Sequence, residues 1–148
     1  MIPSRITIHC SASKNGASVS IEEITKWHIA RGFHTIGYHF VVDVDGKVKE
    51  GRSVDRDGAH VEGANTGNLG ICLIGTDKFS QSQFASLRSL VLGLCWKHDI
   101  PYYEVWCHYQ FKSAIDAGKS CPNIPVQKII SFLHDADLKI FDRETLKK

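Results

Sequence analysis

Leu69-Gly70-Ile71-Cys72-Leu73-Ile74 contains no polar side chain. A short, unbroken apolar run of this kind is the signature of a central strand buried on both faces. Helical patterns lie on either side of it in the chain. Ser80-Gln81-Ser82-Gln83 has capping-box spacing, with Ser80 as N-cap and Gln83 reaching back. Phe84, Leu87, Leu90, Val91, Leu94 and Cys95 then recur at helical intervals to about His98, before Ile100-Pro101 breaks the pattern. Upstream, Ser20-Ile21-Glu22-Glu23 repeats the capping spacing, Ile21, Ile24 and Trp27 follow, and Gly32 is the natural stop.

The remaining elements complete the pattern. Ile6 to Cys10 reads as a first strand, with Ile6, Ile8 and Cys10 on one face and Thr7 and His9 on the other. Gly37 to Val42 reads as a second strand, Asp45-Gly46 as a hairpin turn, and Lys47 to Gly51 as a third strand. Arg52 to Asn68 is polar and glycine-bearing, a long surface loop of the kind that carries function. Tyr102 to His108 reads as the last strand, and Pro125 opens a third helix with Ile129, Phe132 and Leu133 facing in. Strands separated by helices predict an α/β sandwich: one central mixed sheet of about five strands flanked by about three helices.

The 148 residues are most simply one domain, residues 1–148, large enough to fold without staples. A net charge of +2 and the lack of a basic run exclude nucleic acid as the expected partner. No apolar stretch approaches the ~20 residues that span a bilayer, so no membrane insertion is expected. The N-terminus carries no leader pattern, which predicts a protein made in the cytoplasm. The five cysteines are odd in number and include no Cys-x-x-Cys pair, which argues against a disulfide framework. Cys10, Cys72, Cys95 and Cys107 lie in apolar runs and read as small core side chains; only Cys121 sits in a polar loop, Gly118-Lys119-Ser120-Cys121-Pro122.

His9 and His108 each lie at the end of a strand-like run. Two neutral imidazoles and one thiolate, His9, His108 and Cys121, make a complete protein ligand set for a zinc ion with one position open. An open position is what a catalytic zinc requires. A mixed sheet brings the ends of non-adjacent strands together, and the loop after the last strand can deliver Cys121 to the same place. Taken singly, each residue has a plainer reading: a satisfied histidine, an incidental thiol, a packed tyrosine at position 38, a solvated lysine at 119.

The local motifs taken together decide otherwise. Ile8-His9-Cys10-Ser11-Ala12, Trp27-His28, Gly37-Tyr38-His39-Phe40, Asp45-Gly46 with Glu50-Gly51-Arg52, and His60-Val61-Glu62-Gly63-Ala64-Asn65 occur in order. Leu69 to Gly75, His108 and Lys119-Ser120-Cys121-Pro122 continue the series. The chain resembles the zinc-dependent N-acetylmuramoyl-L-alanine amidases of the phage T7 lysozyme type, which are related to peptidoglycan recognition proteins. The resemblance covers about residues 5–133 and leaves 135–148 as a C-terminal tail or extra helix.

The resemblance implies that His9, His108 and Cys121 hold Zn2+, that Tyr38 and Lys119 are catalytic, and that His60 and Asn65 line the substrate groove. The implied substrate is peptidoglycan, cut at the amide between N-acetylmuramic acid and L-alanine. Zinc polarises such a carbonyl and lowers the pKa of water to about 7, Lys119 stabilises the oxyanion, and Tyr38 acts as a base or a hydrogen-bond donor. The implied role is a monomeric phage or prophage endolysin that reaches the cell wall through a separate pore protein. Asn68 departs from the family's usual serine, which bears on the local turn. The alternatives are a cytosolic muropeptide-recycling amidase, a non-catalytic peptidoglycan-binding module, a structural zinc completed by His39, and a cysteine hydrolase with Cys121 as nucleophile.

Overall fold

The computed structural model describes residues 1–134. Five strands, β1 (Arg5–Cys10), β2 (Phe40–Val42), β3 (Val48–Glu50), β4 (Asn68–Leu73) and β5 (Val105–Cys107), form one sheet in the order β3-β2-β4-β1-β5. β1 runs parallel to β4 and to β5, β2 runs parallel to β4, and β3 alone is antiparallel, hairpinned to β2 across Asp45-Gly46. Four α-helices occur among the described residues: α1 (Ile21–Ala30), α2 (Gln81–His98), α3 (Lys112–Asp116) and α4 over 126–134. The expected α/β sandwich is present.

The sheet is covered on both faces because its strands are apolar on both. Ile6, Ile8, Leu69, Ile71 and Leu73 pack one face with Leu87, Val91 and Leu94 of α2 and Ile129 and Leu133 of α4. Val41, Cys72 and Ile74 pack the other face with Ile24 of α1 and with Val19 and Ile36. α2 starts where predicted: Ser80 accepts from the Gln83 N–H at 3.0 Å, and Gln83 Oε1 accepts from the Ser80 N–H at 2.9 Å. The buried Gln83 amide also donates to the carbonyls of Val42 and Ile74, at 3.2 and 2.9 Å. It ties the helix start to the ends of two strands.

Several element bounds differ from expectation. The last strand is not Tyr102 to His108: Tyr102–Glu104 forms a 3-10 turn, only Val105–Cys107 pairs, and His108–Gln110 turns again. Among the described residues β5 is an edge strand, paired with Ile6, Thr7 and Ile8 of β1. The Gln110 side chain accepts from the Cys107 N–H at 2.8 Å and starts the second turn. The second strand begins at Phe40 rather than Gly37. α3 was not foreseen, because five residues carry too little periodicity to be read. Residues 135–148, the tail of the sequence reading, lie outside the described residues. No helix among the described residues is long and apolar enough to cross a membrane.

Candidate metal centre

Parallel pairing sets two of the key residues side by side. Ile8 of β1 pairs with Cys107 of β5, so the next residue on each strand is a histidine at the same height. The His9 and His108 rings lie 4.5 Å apart between centroids. This is the carboxyl end of the parallel strands, where open α/β sheets place ligands. The 3-10 turn at His108 ends the strand at the point where its side chain is needed.

Cys121 comes from the segment after α3. The Tyr109 N–H donates to the Cys121 carbonyl at 3.0 Å, and the Lys119 N–H donates to the Ala114 carbonyl at 2.9 Å. These bonds fold residues 113–121 back over the strand ends. The Cys10 N–H then donates to Cys121 Sγ at 3.1 Å, a contact that favours a thiolate. The donor atoms of His9, His108 and Cys121 all lie within 4.8 Å of one another.

This donor set fits zinc. Zinc–nitrogen and zinc–sulfur bonds of about 2.0–2.3 Å in a tetrahedron separate the ligand atoms by roughly 3.3–3.6 Å, so small side-chain adjustments close the site. Both imidazoles are neutral, as ligation requires. Burial and the neighbouring His60 and His108 hold His9 well below the usual histidine range. Burial and the Lys119 charge bring His108 down to about 4. The Cys121 thiol is pushed up by its hydrogen bond with the Cys10 thiol and by burial. A divalent cation held here would favour the thiolate form of Cys121.

His39 does not join the cluster. Its Nδ1 accepts from the Gly70 N–H at 3.0 Å, and its Nε2 lies 2.8 Å from the Arg56 carbonyl. With both ring nitrogens engaged by backbone, it is no fourth ligand. Three donors with an open side suit catalysis rather than structure.

The centre lies in the wall of a groove of about 770 Å³. Tyr38 and Lys119 border the same groove. The Tyr38 ring lies 5.1 Å from His9 and 5.1 Å from His28. Burial raises its phenol pKa well above the ordinary value, and the thiols of Cys72, Cys121 and Cys10 add to the effect. Lys119 is exposed at the rim, near enough to depress His108.

His60 and Asn65 also line the groove, and both are bonded within the protein. Asn65 Oδ1 accepts from the N–H groups of His60 and Val61, each at 2.9 Å, and so shapes the loop. His60 Nδ1 lies 2.9 Å from His9 Nε2. Burial takes its pKa to about 3. Asn68, the family departure, is buried and bonds to Thr7 Oγ1 at 2.7 Å and to the Ala64 carbonyl at 2.8 Å.

Sequence reasoning passed over two neighbours. His28 reads as background on α1, yet its Nδ1 accepts from the Gly37 N–H at 2.8 Å and its ring backs Tyr38. Its place in the Trp27-His28 motif was the available signal. Cys10 reads as core, yet it abuts Cys121; strand alternation alone gives no hint of that.

Residues 1–124 match the family described as N-acetylmuramoyl-L-alanine amidase (Amidase_2). The endolysin of Escherichia phage T7 is 34% identical over 131 residues, covering 83% of this chain and 82% of that protein. The endolysin of Klebsiella phage KP32 is 34% identical over 133 residues, covering 84% and 83%. Among solved structures, the N-acetylmuramoyl-L-alanine amidase LysC from Clostridium intestinale URNW superposes with a TM-score of 0.79 at 28% identity. The match covers 90% of this chain and 86% of that one.

Proposed function

The chain belongs to the N-acetylmuramoyl-L-alanine amidase family, and on that premise we propose that it cuts peptidoglycan as a zinc-dependent phage endolysin. It is an amidase that cleaves the bond between N-acetylmuramic acid and L-alanine. One observation carries the metal reading: two neutral imidazoles and one thiol, remote in sequence, converge within 4.8 Å at a groove wall.

When bound, zinc would supply a Lewis acid that polarises the scissile carbonyl and lowers the pKa of water to about 7. His9 and His108 would hold the metal as neutral rings, and Cys121 as a thiolate that accepts from the Cys10 N–H. The Lys119 ammonium, at the rim beside His108, stabilises the negative charge that develops on the carbonyl oxygen. The Tyr38 phenol, packed on His9, donates a hydrogen bond to the reacting groups rather than taking a proton. Asn65 holds the loop that walls the groove and presents its amide to the substrate.

One chain supplies every residue named, so the working unit is a monomer built as a single domain. The protein is made in the host cytoplasm and gains the wall through a separate pore protein. Similarity to phage endolysins along more than four-fifths of the chain favours lysis over muropeptide recycling.

The deciding experiment measures metal content and digests purified sacculi with and without a chelator. Stoichiometric zinc, new L-alanine amino termini, and loss of cleavage on chelation are expected. Cleavage that survives complete metal removal overturns the zinc reading in favour of a Cys121 nucleophile.

A further inference from the structure

His60 is not among the three converging donors, yet its ring meets the ring of one of them, His9, at hydrogen-bond distance. His60 Nε2 lies 2.8 Å from the Asn68 carbonyl oxygen. A carbonyl only accepts, so the proton of the neutral His60 ring resides on Nε2. Nδ1 of that ring is then a bare lone pair, and 2.9 Å away stands His9 Nε2. Two acceptors do not bond, so His9 Nε2 carries the hydrogen. The remaining nitrogen of neutral His9, Nδ1, is left as its electron-pair donor.

We propose that His60 is a positioning residue that locks His9 in the Nε2–H tautomer, leaving Nδ1 free for the metal. The inference rests on the zinc reading above, and it gives His60 a task other than substrate contact. The lock is a relay from backbone to ring to ring: Asn68 carbonyl, His60, His9.

The packing around His60 supports the assignment independently. A Cβ added at Gly70 would sit 2.7 Å from the His60 ring, and one at Gly58 would sit 2.6 Å from its Cδ2. The ring is seated against two glycine backbones, one of them inside β4. Only bare backbone lets it approach so closely. His60 reaches the site from the 52–67 loop, but its orientation is set by the sheet. The His9 and His60 rings are nearly perpendicular, at 86°, with centroids 5.0 Å apart, close to the separation of two rings joined end-on through nitrogens 2.9 Å apart. Outer partners of this kind fix ligand tautomer and typically change metal affinity about 10–100-fold when removed.

The test uses two isosteres and two readouts. The Gln amide nitrogen occupies roughly the Nε2 position of a histidine, and the Asn oxygen roughly the Nδ1 position. His60→Gln therefore keeps a donor for the Asn68 carbonyl but leaves the His9 N–H without an acceptor. His60→Asn restores an acceptor for His9. Two-bond ring couplings in the zinc-free, 15N-labelled full chain should show His9 as the Nε2–H tautomer in the native protein. The same spectra should show a tautomer mixture in His60→Gln. Zinc titration should give a Kd roughly 10–100-fold weaker for His60→Gln and near native for His60→Asn.

A native His9 protonated at Nδ1 overturns the proposal, as do Gln and Asn variants that bind zinc equally well. The tautomer spectra need neither zinc nor peptidoglycan. A native chain that takes up no zinc therefore sinks the metal reading, while the spectra still decide this one.

Discussion

Ile8 and Cys107 face each other across the parallel β1–β5 pair, and the residue after each is a histidine of the metal cluster. The register of one short ladder thus sets the spacing of two candidate ligands. Both Ile8 and Cys107 are fully buried, so the spacing is anchored in the core rather than in a loop.

Cys121→Ser should lose zinc and hydrolysis together. A hydroxyl is a far poorer ligand than a thiolate near neutral pH. Metal analysis after dialysis is expected to find less than a tenth of native zinc, and sacculus digestion should fall to background. Full metal and full turnover in this variant would refute the ligand assignment.

Lys119→Ala should separate metal binding from chemistry. The side chain lies at the groove rim and makes no hydrogen bond or ion pair to another described residue, while its N–H to Ala114 is a backbone contact that Ala preserves. Zinc content should stay native and kcat should drop roughly 10²–10³-fold, as for loss of one charge-stabilising donor. Unchanged turnover removes Lys119 from the reaction.

Ile71→Ala probes the scaffold apart from the site. Ile71 is 0% exposed at the middle of the sheet, between Ile8 and Phe40. The lost burial and the cavity left behind should cost about 2–5 kcal/mol, read from urea unfolding. A cost below about 1 kcal/mol would mean that the core is looser than its packing implies.

Acid should weaken the metal-free fold in a defined window. Burial, with the charges of Arg31 and Arg52, depresses His28 from 6.5 to about 4. The unfolded chain takes up its proton near pH 6.5 and the folded chain only near 4, so between these values the unfolded state binds more protons. Stability is therefore full above pH 6.5, falls as pH drops to about 4, and changes no further through this group below that. His28→Asn keeps an acceptor for the Gly37 N–H and removes the titration. Its urea midpoint should fall less between pH 7 and 4 than that of the native chain. Parallel slopes would show that His28 contributes nothing to the acid response.

What the chain displays along its length is periodicity and local chemistry. The apolar Leu69–Ile74 run, the capping residues Ser20 and Ser80 and the Asp45-Gly46 turn each act over a few residues. The sheet, its two-sided cover and most element positions could therefore be read directly. The candidate trio His9, His108 and Cys121 could be picked out too, because a histidine at a strand end and a cysteine in a polar loop stand out from their surroundings, and the fold brings their donor atoms within 4.8 Å of one another.

Distance-dependent relations needed the folded chain. The break of the last run into turn, strand and turn shows only in the folded chain, where Val105–Cys107 alone pair with β1 and the Gln110 side chain takes the Cys107 N–H. His39 and His60 look equivalent as sequence, each a histidine in a short motif. In space one has both nitrogens taken by backbone, and the other turns a lone pair toward His9. Hydrogen bonding is decided within a few tenths of an ångström between groups 51 or even 111 positions apart, and only the packed sheet brings such groups to that range.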